Sequence, residues 1–204
     1  MRYEKWLALK KLLKGVKAIH FQSIATFLVN ECGVKSESVA TIVSRAEKRG
    51  ILWRLCKGWY MFADDLPAPD DIDEIAMTIV RPSYVSMERA LSVQGILSQG
   101  IFVVTLITPV AWNLKRDFVI RLPEREYLIK LKKARKIPEE LVGEIADPER
   151  ALADLIYYRG RVEQKWEYLA QVLSDIYWDE VDVEKVFEHL KEFRGSAGTV
   201  HPFV

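Results

Sequence analysis

The chain has 204 residues, half of them apolar, which is enough for two small domains and excludes a disordered polypeptide. Its net charge is only +1, but residues 1–60 carry 12 Lys and Arg against 4 Asp and Glu, whereas the other 144 residues carry 18 against 25. A basic segment joined to an acidic one is typical of a protein in which one part binds a polyanion.

Three helices are predicted in the first 50 residues. Apolar side chains recur at helical spacing in residues 3–14 and 21–31, with a short extended segment, 16–20, between them. Ser36 is a favourable N-cap for a third helix, and Gly50 is a typical end for it.

A hairpin is predicted directly after the third helix. Two short strands, 51–56 and 59–62, are joined by Lys57 and Gly58, and a two-residue link with glycine favours a tight turn. Helix, short strand, helix, turn, helix and hairpin is the order of a winged helix-turn-helix domain. We assign this domain to residues 1–63.

The third helix has the character of a DNA-reading helix, which must present polar side chains opposite its core contacts. A solvated helix of any globular protein shows the same pattern, but here a basic hairpin follows and the whole segment is basic, so DNA binding is predicted. The predicted DNA-binding residues are Ser36, Ser38, Thr41, Ser44, Arg45, Lys48, Arg49, Arg54 and Lys57. The lysines of the first helix and its C-terminal flank are predicted to add phosphate contacts: Lys10, Lys11, Lys14 and Lys17.

A second domain is predicted over residues 74–204, after an acidic, proline-containing linker at 64–73. Its first helix, 72–80, begins within that linker, and Ser86 is predicted to cap the next helix, which ends near Leu97.

Three strands and three further helices complete this domain. Segments rich in Val, Ile, Phe and Tyr predict an antiparallel sheet, and Asp147 followed by Pro148 predicts the start of a helix. The predicted strands are 101–107, 118–122 and 127–132, and the predicted helices are 147–158, 163–177 and 182–193, the last ended by Gly195. The expected fold class is α+β: a winged helix-turn-helix domain followed by an α/β domain with a small, mostly antiparallel sheet and C-terminal helices.

Two segments carry a resemblance to a known family. Residues 81–95, RPSYVSMERALSVQG, and residues 145–158, IADPERALADLIYY, resemble marks of the AbiEi antitoxins of type IV (AbiE) toxin–antitoxin systems. The resemblance implies that the N-terminal domain represses its own operon at inverted repeats in the promoter. It also implies that the C-terminal domain counters a nucleotidyltransferase-like toxin without a stable complex.

The same two segments also have a purely structural interpretation. Ser86 and Asp147 are suited to cap helices, and Glu88 is favourable near a helix N-terminus. Arg150 and Asp154 are four residues apart on one helix face, so they are placed to pair.

A second basic cluster lies between residues 115 and 136, where nine Lys and Arg stand against three acids. Two interpretations stay open: a second nucleic-acid surface, or a solvated edge strand on which lysines deter pairing with other strands. The residues of this second basic surface are Arg125, Lys130, Lys132, Lys133, Arg135 and Lys136.

We expect no enzymatic activity, metal or cofactor, because His20, His189 and His201 share no motif with Cys32 or Cys56 and no phosphate loop is present. Two cysteines are too few for a disulfide framework. The longest apolar stretch is well short of the roughly 20 residues of a membrane helix, so a cytoplasmic protein is expected.

Two alternatives to the antitoxin interpretation stay open. One is a winged-helix transcriptional regulator whose C-terminal domain binds a ligand or partner, with no toxin. The other is an interaction protein that binds no nucleic acid.

Overall fold

The computed structural model describes residues 3–65, 67–68, 71–110, 117–162 and 165–194. Within these ranges the protein is mixed α and β, with eight α-helices and two small sheets. Two compact units are formed, one by Met1–Ile79 with Val119–Tyr127 and the other by Val80–Phe118 with Leu128–Val204.

The first part of the chain contains four helices and three strands. The predicted helices and hairpin strands of residues 3–62 are confirmed to within two residues at each end, and of the predicted extended segment 16–20 only Ile19–His20 forms a strand. The observed elements are α1 (Tyr3–Leu12), β1 (Ile19–His20), α2 (Phe21–Asn30), α3 (Ser36–Lys48), β2 (Leu52–Cys56), β3 (Trp59–Phe62) and α4 (Asp71–Ile79).

The remaining elements alternate strands and helices before ending in three helices. They are β4 (Tyr84–Ser86), α5 (Met87–Val93), β5 (Val103–Thr108), β6 (Asp117–Arg121), β7 (Glu126–Lys133), α6 (Pro148–Gly160), α7 (Trp166–Ser174) and α8 (Val183–Arg194). Gly195, the predicted end of the last helix, lies outside the described residues.

One apolar core in the first unit joins α1, α2 and α3 with the strands β1, β2 and β3. Its members are Trp6, Leu9, Ile19, Ile24, Leu28, Val39, Val43, Ala46, Leu52, Tyr60 and Phe62. Because α1, α2, α3 and all three strands each contribute buried side chains, burial of apolar surface fixes this arrangement.

The small sheet of the first unit has the order β1-β3-β2, with antiparallel pairing throughout. Gly58 in the turn between β2 and β3 has φ +81°, a left-handed conformation that glycine adopts without steric cost. The register shifts between Arg54 and Cys56, which is a β-bulge, so the hairpin twists near its tip.

The predicted ends of α3 are partly confirmed. Gly50 has φ +66°, and backbone hydrogen bonds from Gly50 to Glu47 and from Ile51 to Ala46 close the helix, as expected of a glycine stop. The prediction that Ser36 is the N-cap is wrong. Lys35 takes that position without a side-chain cap, and Ser36 is the first helical residue.

The second sheet has the order β4-β5-β7-β6. The expectation of three antiparallel strands is wrong in one respect, because β5 and β7 are parallel, with Val103 opposite Leu128 and Thr108 opposite Lys133. β4 was not expected at all, and it pairs antiparallel with β5. A pairing between strands that are not consecutive leaves no local signal in the sequence.

Ser86 occupies the N-cap position of α5, as predicted, but its hydroxyl makes no capping hydrogen bond. The helix ends at Val93 rather than near Leu97. The cap of α6 is confirmed, since the Asp147 side chain accepts a hydrogen bond of 2.7 Å from the backbone N–H of Arg150. Among the helices that the structure describes, none is long and apolar enough to cross a membrane.

Candidate functional site

Helix α3 has one buried face and one exposed face. Val39, Val43 and Ala46 are each at most 3% exposed and belong to the core. Seven of the predicted DNA-binding residues on and beside this helix lie outside that face. Ser38 is half-buried, and the exposed members are Ser36, Thr41, Ser44, Arg45, Lys48 and Arg49.

The cations on α3 have no carboxylate partner in the described part of the chain. Arg45 and Lys48 are exposed, and no ion pair within 4 Å involves either of them. Arg49 follows the helix at its C-cap position, where its backbone N–H donates to the carbonyl of Arg45. The helix therefore offers charge and hydrogen-bond donors to an external anion.

The two remaining predicted DNA-binding residues, Arg54 and Lys57, lie on the hairpin formed by β2 and β3. Arg54 and Lys57 are both exposed, and Arg54 Nε donates weakly, at 3.4 Å, to the carbonyl of Cys56. Trp59 lies directly after the turn of the hairpin, and its ring meets the His20 ring edge-on at a centroid distance of 4.9 Å. Burial raises the pKa of the Cys56 thiol to about 11, which disfavours the reactive thiolate form.

Two of the four lysines around α1 are already paired with acidic residues. Lys10 Nζ lies 2.8 Å from Asp64 and 2.7 Å from Asp65. Lys17 Nζ lies 2.6 Å from Asp71 and 2.7 Å from Glu74.

These ion pairs have a consequence for charge. The acidic partners come from the predicted linker, residues 64–73, and from Glu74 just after it. The hydrogen bonds that Lys10 and Lys17 donate to these carboxylates raise the pKa of both lysines. Lys11 and Lys14 are exposed and have no acidic partner among the described residues, so these two supply the unpaired part of the expected phosphate-binding charge.

The second basic surface does not lie on an edge strand. β7 carries Lys130, Lys132 and Lys133 and is hydrogen-bonded between β5 and β6, so the edge-strand interpretation is wrong. The six residues divide by exposure. Lys130 and Lys132 are half-buried, and the exposed members are Arg125, Lys133, Arg135 and Lys136.

A buried polar network joins the two sequence segments that carry the resemblance. The hydroxyls of Tyr84 and Ser86 donate to Oδ2 of Asp154, at 2.8 Å and 2.6 Å. Asp154 is fully buried, as is Tyr84. Burial, and then the nearby Asp154 carboxylate, raise the pKa of the Tyr84 phenol, which keeps it a donor.

Arg150 links this network to the last helix. Its Nε lies 3.4 Å from Asp154 Oδ1, which confirms the predicted pairing along α6. Its Nη1 donates to Glu192 of α8 at 2.7 Å, and its guanidinium lies 5.2 Å from the centre of the Phe193 ring. The pair is buried rather than on an outer face, so it contributes to the position of α8.

A second buried ion pair joins α5 and α6. Arg159 donates to Oε1 of Glu88 from Nε at 3.1 Å and from Nη2 at 2.8 Å. The Tyr168 hydroxyl donates to the same oxygen at 3.1 Å, and its ring lies 5.4 Å from the Arg159 guanidinium. Glu88 lies in the first turn of α5, as expected, and it is also the acceptor for a residue of α6 and a residue of α7.

Sequence reasoning missed these partners because they are about 70 residues apart in the chain. One signal was present: Asp154 stands among Leu152, Ala153 and Leu155, an apolar context that is unusual for a solvated carboxylate. In the described residues, no three His, Cys, Asp or Glu side chains come together where they could hold a metal ion.

Comparison with known proteins adds no family assignment, since no family model and no curated protein matches the sequence. Function is therefore inferred from the arrangement of α3, the hairpin and the buried networks, and from the resemblance of the two segments.

Proposed function

We propose that this protein is a DNA-binding antitoxin. It represses its own operon through an N-terminal winged helix-turn-helix domain and counters a nucleotidyltransferase-like toxin through its C-terminal domain. The observation that carries the DNA-binding half is the exposed face of α3, where Arg45 and Lys48 have no carboxylate partner among the described residues. A guanidinium on such a helix is suited to the O6 and N7 acceptors of guanine.

The order of elements supports the winged helix-turn-helix assignment. α2 and α3 are joined by a turn at residues 31–35, and a two-stranded hairpin with exposed Arg54 and Lys57 follows α3 directly. In this arrangement the second helix of the pair enters the major groove, and the hairpin reaches the backbone or the minor groove.

The antitoxin half rests on the resemblance, with one supporting contact pattern. Residues of both resembling segments meet in the network of Tyr84, Ser86 and Asp154 and in the pair of Glu88 and Arg159. The two segments thus act as one packing unit, which is a reason for them to occur together. Any effect on the toxin then comes from the surface that this unit supports.

The DNA-binding half is tested by the affinity of the full chain for the DNA upstream of its own gene. We expect tighter binding to that fragment than to a shuffled fragment of equal length and composition. Equal affinity for both would contradict autorepression, and no binding to either would contradict DNA binding altogether.

The antitoxin half has a separate test. Co-expression with a neighbouring nucleotidyltransferase gene should restore the growth that this enzyme alone prevents. Persistent toxicity in the presence of the folded chain would contradict antitoxicity and leave the DNA-binding half standing.

A second candidate function is a winged-helix regulator whose second unit binds a partner or ligand and no toxin. One observation favours it: several large hydrophobic side chains of this unit are exposed. They are Phe102, Trp166, Tyr168, Tyr177, Trp178 and Phe187. Aromatic residues are enriched at interaction surfaces relative to the rest of a protein surface.

A further inference from the structure

Two lysines of β7 point to the same side of the second sheet. Lys130 and Lys132 are two residues apart, and successive side chains of a strand alternate between faces. Lys133 therefore lies on the opposite face from both. The first two are half-buried and Lys133 is exposed, so one strand carries lysines in two different environments.

The strand register identifies which face holds the half-buried lysines. Lys130 is opposite Thr105, which in turn is opposite Ser86. Residues paired in this way share a face. Since the Ser86 hydroxyl bonds to Asp154, this is the face on which α6 lies.

The C-terminal end of α6 brings another cation to β7. The Tyr158 hydroxyl donates to the carbonyl of Lys133 at 3.1 Å, which fixes this part of α6 beside the strand. Arg159 is the next residue. Burial lowers the pKa of Lys132, and so do the neighbouring charges of Arg159, Lys165 and Lys130.

Arg159 pairs with Glu88, whereas Lys132 forms no ion pair among the described residues, and the attraction of Asp117 only partly offsets the lowering of its pKa. In the described ranges, no carboxylate lies within 4 Å of Lys130, Lys132 or Lys165. Half-buried cations that repel one another and lack partners destabilise the fold. Such an arrangement is typical of a site whose partner is an external anion.

An exposed aromatic ring adjoins this cluster. Trp166 follows Lys165 directly and is 48% exposed, and its Nε1 donates to the carbonyl of Gly160 at 2.9 Å, just after Arg159. An indole ring held at the end of α6 in this way offers a stacking surface to a planar base.

We propose that Lys130, Lys132 and Lys165 form a binding site for the phosphate groups of a nucleotide, with Trp166 placed to stack on its base. Three ammonium groups that have no ion-pair partner in the described ranges match the charge of a polyphosphate. This site would give the second unit a ligand-binding role that does not depend on DNA binding by α3.

The test is calorimetric titration of the full chain with ATP, with GTP, and with inorganic triphosphate, at low ionic strength. We expect saturable binding of a nucleotide and competition by triphosphate. The variant Lys132→Met should weaken binding by roughly tenfold or more, the size expected for loss of one charge-assisted contact.

The matched control is Lys133→Met, the same substitution one residue along and on the opposite face of β7. It should leave nucleotide affinity within about twofold of the wild type. Circular dichroism and the unfolding midpoint establish that both variants fold.

Four outcomes would overturn the proposal. They are no nucleotide binding by the folded wild type, an equal loss in both variants, no loss in Lys132→Met, and binding of single-stranded oligonucleotides but not of nucleotides. Wild-type affinity for the upstream DNA is measured separately, so failure of this site and failure of the proposed DNA-binding function are distinguishable.

Discussion

Ser86 donates a hydrogen bond of 2.6 Å to Asp154, a residue 68 positions later in the chain. Tyr84 bonds the same carboxylate oxygen, and Arg150 faces the other oxygen. Because Asp154 is fully buried, it depends on these three partners for the interactions that water would otherwise supply. The contact joins β4 to α6.

Removal of the Asp154 carboxylate should therefore be costly. Asp154→Ala removes the one fully buried counter-charge of the Arg150 guanidinium and leaves it the half-exposed Glu192. We expect a loss of about 3–5 kcal/mol of unfolding free energy. Ser86→Ala leaves the other two partners in place and should cost about 1–3 kcal/mol. Urea unfolding measures both losses. The control Asp179→Ala, at an exposed carboxylate, should change stability by about 0.5 kcal/mol or less, and an equally small effect at Asp154 would contradict the structural role of the network.

Arginine at position 159 should not be replaceable by lysine. Arg159 donates two hydrogen bonds to one Glu88 oxygen and stacks on Tyr168, and a lysine ammonium cannot reproduce that planar geometry. We expect Arg159→Lys to cost about 1–3 kcal/mol in urea unfolding. Arg161→Lys is the matched substitution at an exposed position two residues later. Equal losses of unfolding free energy in the two variants would contradict a stabilising role of the buried pair of Arg159 and Glu88.

Lys132→Met should make the protein more stable. Burial and neighbouring cations lower the pKa of Lys132, so the folded state disfavours the charged lysine. We expect a gain of about 0.2–1 kcal/mol at neutral pH, the size of one partly screened charge interaction. Between the lowered pKa and the usual value of 10.5 the unfolded chain holds more protons, so wild-type stability relative to the variant should rise with pH in that window. Unfolding curves at pH 7 and above pH 9 check the sign, and a less stable variant at pH 7 would contradict it.

The acidic residues that pair with Lys10 should limit DNA affinity. Asp64→Asn combined with Asp65→Asn releases Lys10, and a released lysine is free to contact a phosphate. We expect roughly a threefold to tenfold gain in affinity for nonspecific DNA at low salt, measured by fluorescence anisotropy. Glu139→Gln combined with Glu140→Gln makes the same change in net charge at exposed positions of the other unit. An equal gain in DNA affinity in this control would mean that net charge alone causes the effect, which would contradict a specific role of the Lys10 ion pairs.

Much of the first unit was predictable because its signals are local. The apolar spacing in α3, the glycine stop at Gly50 and the link of Lys57 and Gly58 each specify a structure within a few residues. The same holds for the start of α6 at Asp147. The exposure of Arg45 and Lys48 on α3 could be predicted from the position of the helix's apolar face alone.

The second unit was less predictable because its determinants are distant in sequence. β4 has three residues. The hydroxyl of its last residue, Ser86, donates to Asp154 and does not cap α5, the helix that follows. The parallel pairing of β5 with β7 places Lys132 in an inner strand, where a local pattern of alternating lysines suggested an edge. Glu88 pairs with Arg159, which lies 71 residues later in the chain, so only the tertiary structure brings the two residues together.

The most direct test of DNA reading by α3 is the salt dependence of affinity for the upstream DNA, compared between wild type and the double variant Arg45→Ala and Lys48→Ala. If these two side chains contact phosphates or bases, we predict a loss of affinity of roughly a hundredfold and a slope of log K against log salt smaller by up to about 2. Lys185→Ala combined with Lys191→Ala, which removes the same charge from exposed positions of α8, should leave both quantities nearly unchanged. Unchanged affinity and slope in the α3 variant would contradict the account.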